Sequence, residues 1–309
     1  MDIDLLISKI HRKLVYKFAP RLVPGQVKAL QRLNETSTDS ILAPGGPVVS
    51  LTTYGPRIDT VHLTIESIGR GHLKPSRLTL WLDDERRFKD LPEGLRRLQA
   101  RGLEVHLTDN LGPHTKYYPY VASKPHHEVP LVTADDDIVY PRWWLRRLWN
   151  AYRAAPEQIS CYRAHVVALE DTAKGTSNGA VNGTLNAEAV IRPYRDWPPC
   201  GSREPRWRHF ATGVSGVIYP PRFLDFMHAQ GDAFKAVCPK ADDIWLHAMA
   251  LRAGLRVRQL GRLPRYFEGL PGTHDQGLVH FNSFNGGNDR QIAATYVASD
   301  LRKMAEEPA

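Results

Sequence analysis

Short β-type runs alternate with helical patterns between residues 47 and 140, and this alternation constrains the fold more than any other feature of the sequence. Apolar, β-branched runs such as VVSLTTY and RLTLWL are separated by segments of helical periodicity, from Asp59 to about Gly69 and from Pro92 to Arg101. The resulting order is βαβαβ. It predicts an α/β fold, with a twisted, mostly parallel sheet, helices on both faces and a ligand site beyond the carboxyl ends of the strands.

The second half contains two further helical patterns, WWLRRLWNAYRAA and ADDIWLHAMALRAG, with the segment FATGVSGVIYPP between them. After Phe267 the chain becomes a Gly/Asn-rich tail that ends in a predicted short helix. Residues 34–47 are polar and then rich in Gly and Pro, which is typical of a linker. We therefore predict an N-terminal helix and linker over 1–46 and a main domain over 47–268. The remainder, 269–309, is the predicted tail.

The first 23 residues predict a basic amphipathic helix, with an apolar stripe from Ile3 to Leu22 and five Lys or Arg residues largely elsewhere on the helix. This helix either packs on its own protein or binds the surface of an anionic membrane. No run approaches the roughly 18 apolar residues of a membrane span, and no signal peptide is recognisable. The three widely spaced cysteines fit a reducing compartment. We predict a cytoplasmic location, with or without peripheral attachment to the inner face of the membrane.

A formal net charge of +8 at pH 7 favours an anionic partner, which could be a nucleic acid, a phosphorylated small molecule or an acidic membrane surface. The basic residues are dispersed, and the sequence contains no recognised nucleic-acid reader motif. We therefore do not expect nucleic acid to be the partner.

Three consecutive carboxylates, Asp135, Asp136 and Asp137, follow the apolar run PLVTA. Such neighbours repel one another unless a hard cation or several donors offset their charge, and a divalent metal is the natural candidate. On an extended backbone Asp135 and Asp137 point to the same side and Asp136 points away. Asp136 remains an alternative site residue to these two, because the triplet also contains two overlapping pairs of adjacent acids. The alternative interpretation is a solvated acidic turn that caps a helix beginning at Pro141.

Two further segments have the composition of a site. Asp242 and Asp243 open a helical pattern, where acids are also common simply as N-cap and first-turn residues. Gly213 and Gly216 supply small residues where the backbone must approach a sugar or another strand closely.

Six ordered segments cover about residues 47 to 292 and read VVSLTTYGPRIDTVHLTIESI, GPHTKYYPY, TADDDIVYP, TGVSGVIYPP, KADDIWL and NGGNDRQ. Together they resemble bacterial family-2-like nucleotide-sugar glycosyltransferases of the GT-A (Rossmann-like) fold, in which a DxD motif closes a nucleotide-binding βαβαβ half. The resemblance implies a single catalytic domain over 47–268 and a tail that completes the site.

On the donor side, the resemblance implies that main-chain groups of Thr52 and Thr53 lie near the base, with Tyr54 in the same pocket. Arg57 and Lys116 would approach the diphosphate. This fits the chemistry, because a diphosphate leaving group needs cations, and arginine supplies bidentate donors while lysine supplies a compact charge. Either residue could instead be an ordinary surface cation.

For the cofactor, the resemblance implies Mn²⁺ or Mg²⁺, with Asp137 as the direct ligand and Asp135 on the ribose or the metal. GT-A enzymes often place a histidine in the tail to complete the metal or diphosphate site. His274 and His280 are the candidates here, and His280 is preferred.

On the acceptor side, the resemblance implies that Asp243 is the general base of an inverting transfer. Asp242 stands where the family pattern has Glu, so both acids remain candidates. The predicted reaction is hexosyl transfer from a nucleotide diphosphate sugar, with a UDP-sugar as the first choice, to a hydroxyl of a glycan or glycolipid.

Two other enzyme classes use similar residues. A metal-dependent phosphohydrolase or nuclease also needs clustered acids, but it draws together scattered His and Asp ligands. A sugar-nucleotide pyrophosphorylase can share the fold, but it should begin its first strand with a Gly-rich, Arg-bearing loop, which SLTTYGPRI does not match.

Overall fold

The computed structural model describes residues 23–170, 190–272 and 287–307. The helices of these ranges are α1 (23–36), α2 (Val61–Gly69), α3 (Glu85–Lys89), α4 (Glu93–Gln99), α5 (Tyr118–Ala122), α6 (Trp144–Ala154), α7 (Pro221–Ala229), α8 (Phe234–Val237), α9 (Asp242–Arg252), α10 (Gly287–Thr295) and α11 (Ala298–Ala305). The strands are β1 (Val48–Thr52), β2 (Arg77–Leu82), β3 (Leu103–Leu107), β4 (Leu131–Thr133), β5 (Ile138–Val139), β6 (Ile159–Cys161), β7 (Ala164–Val166), β8 (Leu169–Glu170), β9 (Val190–Ile191), β10 (His209–Ala211), β11 (Val217–Tyr219), β12 (Val257–Gln259) and β13 (Glu268–Gly269).

Within the described ranges, seven strands form a central sheet in the order β12-β6-β11-β4-β1-β2-β3. The pairs β4/β1, β1/β2, β2/β3 and β12/β6 are parallel, whereas β11 runs antiparallel to both of its neighbours. The predicted class is therefore confirmed: the protein is a mixed α/β structure with a mostly parallel sheet flanked by helices. The sequence did not predict the inserted antiparallel strand.

The sheet is buried on both faces, which explains why its strands are almost continuously apolar. Side chains alternate between two core clusters along each strand: Val48 and Leu131 pack on one face, and Val49 and Val132 pack on the other. Helix α9 belongs to the first cluster. Helices α2 and α4 belong to the second, and every residue of α2 is buried.

Residues 23–46 pack against the domain. Leu30 of α1 lies in one apolar cluster with Leu63 and Leu270, and Asn34 donates a hydrogen bond to the buried carboxylate of Glu66. Ile41 is fully buried in the second core cluster. The segment 34–47, predicted as a linker, is thus part of the packed unit, because the side chain of Ile41 packs beside Gly69 of α2. The helix predicted over residues 1–23 lies almost entirely outside the described residues.

The acidic triplet lies between β4 and β5. In the described part of the chain, no helix has both the length and the apolar character needed to cross a membrane. The two tail histidines, His274 and His280, lie outside the described residues.

Candidate functional site

The candidate site lies at the carboxyl ends of β1 and β4, where the strand order reverses direction. β1 has β2 on one side and β4 on the other, which makes this edge the topological switch point at which open α/β sheets bind ligands. The turn before the antiparallel strand β11 reaches the same edge, because Val217 pairs with Thr133 at the end of β4. The loop after β3 and the first turn of α9 complete the site.

Lys116 lies at the centre of an acidic cluster. Its Nζ is 3.0 Å from Oδ1 of Asp135 and 3.7 Å from Oδ2 of Asp242. Burial alone would lower the pKa of Lys116, but the charges of Asp135, Asp242 and Asp243 outweigh burial and raise the pKa well above its ordinary value. The lysine is therefore a fixed cation that links the acidic triplet after β4 to the acids that open α9.

The backbone around Lys116 is held from two sides. Ser50 on β1 donates a hydrogen bond of 2.7 Å to the Lys116 carbonyl. Buried His114 contacts the Cys238 carbonyl through Nε2 at 2.7 Å and the Tyr117 hydroxyl through Nδ1 at 2.8 Å. Burial lowers the pKa of His114 to about 3, so the ring is neutral, with one nitrogen donating and the other accepting. This neutral imidazole fixes the loop after β3 to the segment before α9.

The two acids that open α9 have different surroundings. Asp242 is 7% exposed, and its Oδ2 makes no hydrogen bond with any described residue. Asp243 is partly exposed, and its Oδ1 accepts a hydrogen bond of 2.8 Å from the backbone N–H of Gly213. Desolvation, followed by repulsion from Asp242, raises the pKa of Asp243 to about 8. Burial also raises the pKa of Asp242. A carboxyl group tuned in this way is suited to accept a proton near neutral pH.

Gly213 leaves room for this arrangement. A Cβ at this position would lie 3.2 Å from Oδ1 of Asp243 and 3.3 Å from Nζ of Lys116. Gly216 has a different constraint, because a Cβ there would come within 2.8 Å of the Trp144 ring and the residue adopts a φ of 101°. The close approach predicted at Gly216 is thus to a buried aromatic ring.

The other two acids of the triplet surround Arg57. Its guanidinium is 2.9 Å from Oδ1 of Asp136 and 3.3 Å from Oδ2 of Asp137, and it stacks 5.3 Å from the centre of the Tyr54 ring. Asp136 is 5% exposed and also accepts a hydrogen bond of 2.6 Å from the Thr53 hydroxyl. Asp136 therefore faces the interior and holds the loop after β1, and its contact with the nucleotide stays a prediction. Tyr54 is 41% exposed.

The Thr52 hydroxyl donates a hydrogen bond of 3.0 Å to the Trp81 carbonyl. Trp81 and His114 position the site but were not predicted from the sequence. An aromatic residue within the apolar run RLTLWL and a histidine in a loop have no local pattern that distinguishes them from ordinary core or surface residues.

The carboxylates of Asp135 and Asp137 are hard oxygen donors of the kind that Mg²⁺ and Mn²⁺ prefer. Among the described residues, no group of three or more His, Cys, Asp or Glu side chains is arranged to hold a metal ion. Each of these two carboxylates instead faces a protein cation, Lys116 or Arg57. Magnesium in nucleotide sites commonly takes one or two carboxylates and completes its shell with phosphate oxygens and water. One or both of these carboxylates would be enough for a cation that binds together with a diphosphate.

Comparison with known proteins gives low similarity throughout. No protein-family model and no curated protein matches the sequence. Among solved structures, the chain resembles the mannosyltransferase PcManGT from Pyrobaculum calidifontis in complex with GDP-Man and Mn²⁺, at 15% identity and a TM-score of 0.42, over 90% of this chain and 71% of the other. It also resembles GalNAc-T7 with UDP, GalNAc and Mn²⁺, at 11% identity and a TM-score of 0.44, over 76% of this chain and 46% of the other.

A third similar structure is the inositol-1-phosphate CTP transferase from T. maritima, at 12% identity and a TM-score of 0.42, over 83% of this chain and all (100%) of the other. The similar structures thus include both glycosyl- and nucleotidyl-transferring enzymes. Because all these TM-scores lie below 0.5, we base no function on them.

Proposed function

We propose that the protein is a metal-dependent glycosyltransferase that moves a sugar from a nucleotide diphosphate sugar to a hydroxyl group of a glycan or glycolipid, with a UDP-sugar as the first candidate donor. One observation carries the proposal. Asp135 after β4, Lys116 after β3 and Asp243 at the start of α9 meet at the switch point of the sheet. Groups suited to a diphosphate are thereby placed beside a carboxyl group suited to proton transfer.

The donor end of the proposed site contains Tyr54, Arg57, Lys116, Asp135 and Asp137. Exposed Tyr54 offers a ring for the base or ribose, and Arg57 and Lys116 supply positive charge for the diphosphate. Both cations face carboxylates in the structure described here. A diphosphate and a divalent cation binding together would give these groups new partners of opposite charge. Bound at Asp135 and Asp137, Mn²⁺ or Mg²⁺ would stabilise negative charge on the departing diphosphate.

The acceptor end of the proposed site is Asp243. Its raised pKa makes it a stronger base than an exposed carboxylate, and the Gly213 N–H fixes its orientation. Asp243 would remove the proton of the acceptor hydroxyl as that oxygen attacks the anomeric carbon from the face opposite the diphosphate. The product would then have inverted anomeric configuration. Asp242 is the more deeply buried acid and faces Lys116, so we assign it the role of positioning this lysine.

We also propose that residues 47–268 form the catalytic domain, that residues 269–309 complete the site with His280, and that the basic N-terminal segment binds an anionic membrane surface. The N-terminal proposal rests on the charge and apolar pattern of residues 1–22. Attachment of this kind would bring the enzyme close to a lipid-linked or glycolipid acceptor.

A panel of nucleotide sugars tests the donor class and the metal together. Thermal shift and calorimetry would compare UDP-, GDP-, CMP- and dTDP-sugars with Mn²⁺, with Mg²⁺ and with EDTA. We expect one nucleotide class to stabilise the protein only in the presence of metal. A matched pair of variants controls for charge, because Asp137→Ala should abolish this stabilisation while Asp90→Ala, at an exposed ion pair with Arg96, should leave it unchanged. Metal-independent binding, or no binding of any nucleotide sugar, would contradict the proposal.

A further inference from the structure

Arg163, two residues after β6, is held by neutral partners. One of its terminal nitrogens donates to the Thr212 hydroxyl at 2.9 Å, and the other donates to Nε2 of His165 at 3.0 Å. The guanidinium also stacks on the Tyr266 ring, 5.1 Å from the ring centre. Burial and the charge of Arg163 lower the pKa of His165 to about 4, so this histidine is a neutral acceptor. The three contacts fix the arginine without neutralising it.

No carboxylate forms an ion pair with Arg163 within the described ranges, and its Nε is buried without a hydrogen-bond partner there. Two arginines with little exposed side chain, Arg57 and Arg101, differ in that each contacts a carboxylate. A guanidinium withdrawn from water normally requires such a partner, because its desolvation is otherwise uncompensated. Arg163 therefore has the features of a cation prepared for an anion that the protein itself does not supply.

The position of Arg163 places this charge beside the proposed base. Its partner Thr212 directly precedes Gly213, whose N–H binds Asp243. Tyr194 lies within the electrostatic influence of both Asp243 and Arg163, and its pKa is raised to about 12, mainly by burial and then by Asp243. These contacts locate Arg163 on the Asp243 side of the candidate site, whereas Arg57 and Lys116 contact the acidic triplet.

We propose that Arg163, with Thr212 and Tyr266, forms a binding site for an anionic group on a sugar substrate, either a carboxylate, as in a uronic acid, or a phosphate ester. This inference rests on the proposed function, because it concerns the sugar that lies next to Asp243. Arginine is suited to the task, since its planar donors bind a carboxylate or phosphate in bidentate fashion. The anion could belong to the transferred sugar or to the acceptor sugar.

Calorimetry on the full chain in Mn²⁺ tests the proposal with matched neutral and anionic probes. The donor arm compares UDP-glucuronate with UDP-glucose. The acceptor arm compares methyl glucuronide with methyl glucoside, and glucose 6-phosphate with glucose, each with and without UDP. The variants are Arg163→Met and Arg163→Lys. The control is Arg147→Met, because Arg147 is an exposed arginine that likewise stacks on a ring, that of Trp143, but lies on α6.

We expect the wild-type protein to prefer the anionic member of at least one pair by about 10- to 100-fold, the usual effect of a hydrogen bond to a charged group. Arg163→Met should remove the preference, Arg163→Lys should keep part of it, and Arg147→Met should keep all of it. The arm that shows the preference identifies whether donor or acceptor carries the anion. If no pair shows a preference, or if Arg163→Met retains it, the inference is wrong.

The affinity for UDP separates this inference from the proposed function. If UDP binds the wild type and Arg163→Met with equal affinity, and the wild type prefers no anionic probe over its neutral partner, only the anion site is overturned. Failure of wild type to bind UDP or any UDP-sugar would instead count against the UDP-sugar donor on which the inference rests. A fall in the melting temperature of Arg163→Met with unchanged anionic preference would identify Arg163 as a structural residue.

Discussion

The backbone N–H of Gly213 lies 2.8 Å from Oδ1 of Asp243 and donates a hydrogen bond to it. Thirty residues separate the two positions in the chain, and the contact exists because the turn before β11 and the first turn of α9 meet at one edge of the sheet. It holds one oxygen of a carboxyl group whose pKa is raised by burial and by Asp242. The proposed mechanism depends on this carboxyl group, and so do most of the predictions below.

Replacing Asp243 by Asn should separate binding from chemistry. The amide oxygen of Asn can still accept from Gly213, but the side chain can no longer remove a proton. We expect unchanged affinity for the donor nucleotide and turnover lower by about 10² to 10⁴-fold, the usual contribution of a general base. For wild type, kcat/KM should rise with pH, reach half its maximum near the pKa of about 8 and level off above it, and this rise should be absent from the residual activity of the variant. Near-normal transfer by Asp243→Asn would reduce this acid to a helix-capping residue.

The same substitution should stabilise the protein at neutral and alkaline pH. The unfolded state releases the Asp243 proton near pH 4, whereas the folded state retains it up to a pKa of about 8. Folded protein therefore binds more protons across this window, and the free energy of unfolding falls as pH rises from about 4 to about 8. Asp243→Asn should weaken this pH dependence and raise the melting temperature most clearly at pH 8. A difference in stability between variant and wild type that stays constant from pH 5 to pH 8.5 would show that Asp243 titrates normally.

A residue of this site could be predicted where the sequence immediately around it carries a recognisable pattern. Asp243 was recognisable because two acids before an apolar helix form a local pattern, and Asp135 because a triplet of acids after an apolar strand is conspicuous. The contact between Lys116 and Asp242 could not be predicted, since it joins residues more than a hundred positions apart and depends on where α9 packs. Similarly, β1 and β2 were visible as apolar runs, but the antiparallel direction of β11 was not, because periodicity carries no information on pairing.

A methyl group at Gly213 should disturb the site without unfolding the chain. Its Cβ would stand 3.2 Å from Oδ1 of Asp243 and 3.3 Å from Nζ of Lys116, so one of these side chains must shift by a few tenths of an ångström. We expect Gly213→Ala to lower kcat/KM by about 10-fold or more, since displacements of this kind are costly in an ordered site. Gly25→Ala is the control, because nothing lies within 4 Å of a Cβ there. Full activity of Gly213→Ala would show that Asp243 or Lys116 can shift without loss of function.

Asp137→Ala should abolish metal-dependent nucleotide binding while the fold is retained. Arg57 would keep its contact with Asp136, 2.9 Å away, so the loop after β1 remains held. Removing one acid from a crowded triplet also relieves repulsion. The melting temperature without metal should therefore change by no more than a few degrees. Unchanged affinity for UDP in Mn²⁺ would contradict the role of Asp137 as a metal ligand.

Two N-terminal deletions should behave differently. Removing residues 1–22 leaves α1 in place, so we expect normal stability and donor binding but loss of salt-sensitive co-sedimentation with anionic vesicles. Removing residues 1–46 also removes Leu30 and Ile41, both fully buried, and the hydrogen bond from Asn34 to Glu66. This longer deletion should destabilise the protein by several kcal/mol. Vesicle binding that survives the shorter deletion would show that residues 1–22 are not the membrane-binding segment.

Analysis of the reaction products tests the central claim most directly. The protein would be incubated with Mn²⁺, the nucleotide sugar that stabilises it and a candidate acceptor, and the released phosphorus compounds and the anomeric configuration of the product would be read by NMR. We predict release of a nucleoside diphosphate, a product of inverted configuration, and loss of both in Asp243→Asn. Release of pyrophosphate or nucleoside monophosphate, or a product of retained configuration, would contradict an inverting sugar transfer with Asp243 as its base.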